Sequence, residues 1–168
     1  LIVDEAHLLN ERLLEELPGP GAEPAPEAPA TARPARYECV LTEAAFGAWL
    51  DRLRKAELIA FDTETTSLDT LEAEIVGVSF AVTPEEAAYV PLAHEYLGVP
   101  PQLERADVLA RLKPLLEDPR LPKVGQNLKY DLAVLERHGI RCAGLRFDTM
   151  LESYVLNSTL ARHDMDSL

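Results

Sequence analysis

Positive charge is scarce in this sequence: 16 Lys and Arg stand against 29 Asp and Glu, a net charge of −13 over 168 residues. That excludes a protein that coats nucleic acid through its own cations, because such binding works by neutralising phosphates with Lys and Arg. It leaves open nucleic acid as a substrate, since metal ions held by clustered carboxylates can bring the missing positive charge. Cysteine is also scarce. Cys39 and Cys142 are the only two; they lie far apart and match no zinc spacing, which excludes a disulfide-stapled miniprotein and fits a reducing cytoplasm. No run of about 18 apolar residues occurs, so no helical membrane span is expected. A charged leader followed by a cleavage site is missing too, so no secretory signal is expected. What is present is a chain of single-domain length, 47% apolar, enough to bury a core.

Residues 1–17 place Leu8, Leu9, Leu13, Leu14 and Leu17 at helical spacing. So short a helix cannot bury that stripe alone, and it reads as the end of a preceding domain. Residues 18–34 hold six of the 13 prolines, with Gly, Ala and Glu. This composition predicts an extended linker, taken as 18–36. The globular part is expected from Tyr37 to Leu168. With Leu at its start and no helix stop after His163, the chain reads as a fragment of a larger intracellular protein.

Within 37–168 the periodicity predicts helices over 42–55 (Thr42 as cap; Phe46, Trp49, Leu50 and Leu53 on one face), 105–116, 127–138 and 148–157. Pro114 predicts a kink or an early end in the second of these, and Gly139 a stop for the third. Strands are expected at 58–61, 75–82, 87–92, 123–125 and 146–147, with 83–86 as a hairpin connection. Strands first, then strands alternating with helices, argue for an α/β sheet with helices on its faces.

Two segments could carry chemistry. In Phe61-Asp-Thr-Glu-Thr65, strand alternation sends Asp62 and Glu64 to the same side. Two carboxylates there are costly to bury unpaired, and a divalent cation would neutralise them. The same pattern also describes a solvated strand end. In Val124-Gly-Gln-Asn-Leu-Lys-Tyr-Asp131, Asn127 and Asp131 are four apart and share a helix face. They could equally be a helix cap and a surface charge. Asp148, with Thr149 and Glu152 at capping-box spacing, reads as a cap rather than a ligand. His163-Asp-Met-Asp166 reads as helix-entry chemistry, and His94 and His138 as structural histidines. Leu1–His7 is similar to the metal-binding strand of a helicase ATPase, but no Gly-x-x-x-x-Gly-Lys phosphate loop accompanies it.

Four motifs together resemble one family. They are Asp62-Thr-Glu-Thr-x-Ser-Leu68-Asp69, Gly125-Gln-Asn-Leu-Lys-Tyr-Asp131, Phe147-Asp-Thr-Met-Leu-Glu-Ser-Tyr154 and Arg162-His-Asp-Met-Asp-Ser-Leu168, in order and with compatible spacing. The family is the 3′→5′ proofreading exonuclease domain of bacterial family A DNA polymerases. Pro91–Tyr96 and Leu112–Asp118 are similar to it as well. The resemblance implies a ribonuclease-H-like fold, a mixed sheet flanked by helices, and two divalent metal ions (Mg²⁺, with Mn²⁺ or Zn²⁺ as alternatives). It implies Asp62, Glu64 and Asp131 as catalytic metal ligands. It implies that Leu68, Gln126, Asn127 and Arg162 contact the single-stranded 3′ end of DNA. The partners it implies are the polymerase and 5′ nuclease domains of a parent chain. The family's Tyr-x-x-x-Asp motif is missing: the only Tyr after Asp131 is Tyr154, followed four residues later by Ser158. The exonuclease domain is therefore expected to be C-terminally truncated, and weak or inactive alone. The rival readings are a ribonuclease-D-like RNA exonuclease and a non-catalytic polymerase scaffold domain; the latter usually lacks the carboxylates this chain keeps.

Overall fold

The structure, a computed structural model, describes residues 36–159 and His163. The expectations for the helix at 1–17, for the linker up to residue 35, for Arg162 and for residues 164–168 lie outside the described residues.

Six strands form one sheet in the order β1-β4-β3-β2-β5-β6. They are β1 (Arg36–Cys39), β2 (Ile59–Thr65), β3 (Ile75–Thr83), β4 (Glu86–Pro91), β5 (Lys123–Gly125) and β6 (Leu145–Asp148). Among the described residues four helices accompany them: α1 (Glu43–Leu53), α2 (Arg105–Leu116), α3 (Leu128–Arg137) and α4 (Thr149–Leu156). β2, β3 and β4 are an antiparallel meander, while β5 runs parallel to β2, β6 parallel to β5 and β1 parallel to β4. This is the α/β sheet expected from the order of elements, mixed as the family resemblance implied.

The two faces of β2 divide the work. Ile59, Phe61 and Thr63 are buried, while Ala60, Asp62 and Glu64 face the more open side. The buried side joins one core with Val78, Phe80 and Val90 of the sheet and the apolar stripes of α1, α2 and α3. Phe46, Trp49, Leu50 and Leu53 of α1 are all buried, each worth about 1.5–3 kcal/mol of burial. Thr42 caps α1 as read, its hydroxyl accepting from the Ala45 amide at 3.2 Å.

Pro114 does not end α2 early. It sits in the last turn and removes only its own N–H from the ladder, so the helix runs to Leu116 and the Glu117 amide still bonds the Lys113 carbonyl. Gly139, at φ +74°, follows α3 as expected.

Asp148 caps two helices at once. Its carboxylate accepts from the Met150 and Leu151 amides of α4 and from the Asn127 and Leu128 amides at the start of α3, at 2.8–3.4 Å. Both helix N-termini favour that negative charge. Asn127 holds the cap position of α3 with φ 54°, but its side chain makes no cap bond. The capping read for Asn127 is thus done by Asp148, and Asn127 is left exposed.

Candidate active site

The site forms where β2 and β5 end side by side. Ala60 pairs with Val124, so Gly125 lies against Phe61. A Cβ on Gly125 would stand 2.4 Å from Leu128 and 3.0 Å from the Phe61 carbonyl, which explains the glycine. The chain then turns through Gln126 and Asn127 into α3, and one helical turn later Asp131 points back at β2. Asp131 is only 2% exposed. One of its oxygens accepts from the Thr63 amide at 2.9 Å and from the Thr63 hydroxyl at 2.6 Å. Thr63, which carried no signal in the sequence and lies between Asp62 and Glu64 along the chain, is therefore the post that holds Asp131.

Electrostatics connects the three acids. Burial, the Asp131 charge and the Glu64 charge, in that order, push the Asp62 carboxyl up to about 6. Burial also raises Asp131, opposed by its two bonds from Thr63. Among the described residues no Lys, Arg or His forms an ion pair with Asp62, Glu64 or Asp131. Glu64 is exposed and Asp62 half-buried. An open groove of about 530 Å³ adjoins Asp62, lined on its far sides by Ser79, Ala81, Gln126 and Thr149.

Carboxylates as the only donors would suit a hard divalent cation, and the charges that act on Asp62 when it ionises are the like charges of Asp131 and Glu64. Among the described residues no three His, Cys, Asp or Glu side chains are gathered tightly enough to ligate an ion by themselves. That is compatible with Mg²⁺, which commonly takes one or two carboxylates and fills its shell with water and substrate phosphate.

The other expected contacts are distributed as follows. Leu68 is 94% exposed at the tip of the β2–β3 connection. Its loop is tied to α3 by the Tyr130 hydroxyl, which donates to the Ser67 carbonyl and bonds the Thr65 hydroxyl. Gln126 is engaged at both ends, its Nε2 donating to the His163 carbonyl at 2.7 Å and its Oε1 accepting from Thr149. His163 is buried, bonded through Nδ1 to the Ser153 hydroxyl and stacked on Tyr154. That is a structural use of the histidine.

An acidic pair on the open face of a mixed sheet, with a third acid supplied by the helix after the neighbouring parallel strand, describes a ribonuclease-H-like nuclease. Solved structures agree on the fold. The POL domain of Pol1 from M. smegmatis superposes with a TM-score of 0.60 at 18% identity, covering 79% of this chain and 21% of that one. Brucella melitensis NrnC with bound Mg²⁺ gives a TM-score of 0.56 at 20% identity, covering 80% of this chain and 59% of that one.

The 3′-5′ exonuclease family of family A DNA polymerases matches residues 37–168. DNA polymerase I of Pseudomonas aeruginosa is 63% identical over 134 residues, 79% of this chain. The chain belongs to the 3′-5′ exonuclease domain family of DNA polymerase I, an enzyme family, and spans 15% of the length of that relative. No described helix is long and apolar enough to cross a membrane.

Proposed function

We propose that this chain is the greater part of the proofreading domain of a bacterial, cytoplasmic DNA polymerase I. It would remove mispaired 3′-terminal nucleotides from DNA, beside the polymerase and 5′ nuclease domains of its parent. The observation that supports the reading is the pair Asp62 and Glu64 on the open side of β2, Asp62 beside an open groove, with the charge of Asp131 near enough to raise Asp62. The 63% identity to a DNA polymerase I supports DNA over RNA as the substrate.

In the reaction, a water oxygen attacks the terminal phosphorus. The bond from phosphorus to the penultimate 3′ oxygen breaks, that oxygen takes a proton, and the last nucleotide leaves as its 5′-monophosphate. Asp62, Glu64 and Asp131 would hold two divalent ions, which when bound supply the positive charge and the activated water. Asp62 would serve both ions, Glu64 the one near the water, and Asp131 the other. Thr63 fixes Asp131 through two hydrogen bonds, so that carboxylate needs no reorganisation when substrate arrives. Leu68, exposed on its braced loop, would wedge against the terminal base. Asn127 and Arg162 would meet sugar and phosphates, and Gln126 would join them by exchanging one of its present bonds.

The 168 residues contain no Tyr-x-x-x-Asp after Asp131. Without that ligand and its Tyr, release of 3′-terminal nucleotides from labelled single-stranded DNA in Mg²⁺ is expected to be roughly a thousandfold slower, or more, than for a longer chain including such a motif. Circular dichroism would establish that both chains are folded. Equal rates from two folded chains would refute the assignment.

A further inference from the structure

Across the β2–β3 ladder Glu64 pairs with Gly77, so their Cβ directions share the open face. The space a Cβ would fill on Gly77 is taken by Tyr89: its hydroxyl lies 1.9 Å from that point. Directly paired Cβ positions stand about 4.5–5.5 Å apart. The Tyr89 hydroxyl is therefore within roughly 3–7 Å of the Glu64 Cβ, in reach of a carboxylate carried two carbons farther out.

That hydroxyl is held from behind. It is hydrogen-bonded to Nε2 of His94. His94 is itself clamped through its main chain: its amide donates to the Gln102 side-chain oxygen and its carbonyl accepts from the Gln102 side-chain nitrogen, both at 2.9 Å. The Tyr96 ring flanks the imidazole with centroids 6.4 Å apart. A neutral imidazole protonated on Nε2 donates to the phenol oxygen and leaves the phenol proton free for another acceptor. Glu64, across the ladder, is the acceptor within reach on that side. Carboxylates that ligate metals are commonly hydrogen-bonded from outside the coordination shell, and losing such a partner typically costs 10–100-fold in metal affinity or activity.

We propose that Tyr89 and His94 form a positioning pair: His94 orients the Tyr89 hydroxyl, and Tyr89 donates to the Glu64 carboxylate and holds it in its ligating conformation. This rests on the reading of Asp62 and Glu64 as metal ligands. Gly77 is then a requirement of the pair, because any side chain there would displace the phenol.

The test is Mn²⁺ binding to the 168-residue chain, measured as free Mn²⁺ by electron paramagnetic resonance, with a thermal melt of each variant. Asp62→Ala is expected to lose binding. Tyr89→Phe and His94→Ala are expected to weaken it about tenfold while melting within about 2 °C of the parent, a shift of no more than about 1 kcal/mol. His94→Gln, whose amide can still donate to the phenol, is expected to restore binding. Asp62→Ala binding Mn²⁺ like the parent would overturn the metal reading and the pair with it. Loss in Asp62→Ala alongside unchanged affinity in Tyr89→Phe would overturn the pair alone. Should Tyr89→Phe not fold, equal affinities of His94→Ala and the parent would overturn it.

Discussion

Asp62→Asn is expected to remove metal-dependent hydrolysis, by roughly a thousandfold or more, and to make the metal-free protein more stable. The two effects have one cause. Asp62 is half-buried beside Asp131 and Glu64, so its carboxyl is pushed up to about 6 from an ordinary value of 3.8, by burial first and then by the two neighbouring charges. The folded protein therefore holds this proton more tightly than the unfolded chain. Stability is fully present below about pH 4 and is lost as pH rises through about 6, because the unfolded chain releases the proton first. Screening of a half-exposed group reduces the raw shift to an effect of about 1–2 kcal/mol.

Asparagine has no proton to release and no negative charge to set against Asp131, so that loss should vanish from its pH–stability profile. A site that were simply a solvated strand end would show neither the slope nor its removal. Melts in a chelator from pH 4 to 8, beside nucleotide release by the longer chain, decide both parts. A destabilised metal-free Asp62→Asn with normal hydrolysis would refute the account of this residue.

Lys123→Met is expected to destabilise the fold by about 2–4 kcal/mol. Lys123 is fully buried, and its ammonium donates to three main-chain carbonyls: Asp118 at 3.0 Å, Leu121 at 2.8 Å and Ala143 at 2.8 Å. Three protons meet three acceptors, so the buried charge is satisfied although no carboxylate bonds it. Burial lowers its proton affinity, opposed by the neighbouring Cys142 and Asp118.

The lysine thus fastens the turn after α2 to the connection entering β6. Just there, Gly144, at φ +73°, packs so closely that a Cβ would stand 2.6 Å from the Leu121 carbonyl. Methionine fills the space but strands the Leu121 and Ala143 carbonyls, each costing about 1 kcal/mol or more, and leaves the Asp118 carbonyl with the Leu121 amide alone, at 3.3 Å. The midpoint of thermal unfolding should fall by about 5–15 °C. A fall of less than about 2 °C would mean that the three bonds contribute little.

How much of this was legible in the sequence depends on the range of the interaction. β5 and the four helices announced themselves because hydrophobic period, caps and glycine stops act within a few residues. Asp148 was readable as a cap for α4 through its own helix, but its second role, at α3, joins residues 21 apart and needs the β5–β6 pairing to exist. β1 gave no signal: all four of its residues are exposed, and it is a strand only because its main chain pairs with β4.

Lys123 reads as a surface residue in any sequence, since nothing local foretells three carbonyls converging on it. In the site, the Asp62 and Glu64 side was set by strand alternation alone. Asp131 depended on family resemblance, because its partner Thr63 lies 68 residues away. Gln126 read as a strand contact, whereas its amide is occupied by His163 and Thr149, contacts visible only after folding.

The central claim is that Asp62 and Glu64, with Asp131, hold divalent metal on the open face of the sheet. Crystals of the chain grown with Mn²⁺ and measured at a wavelength where manganese scatters anomalously would test it directly. The account predicts an anomalous peak in ligating contact with Asp62 and Glu64 that is absent from Asp62→Asn crystals. A structure with manganese only elsewhere, or with none at Asp62 under saturating Mn²⁺, would contradict it.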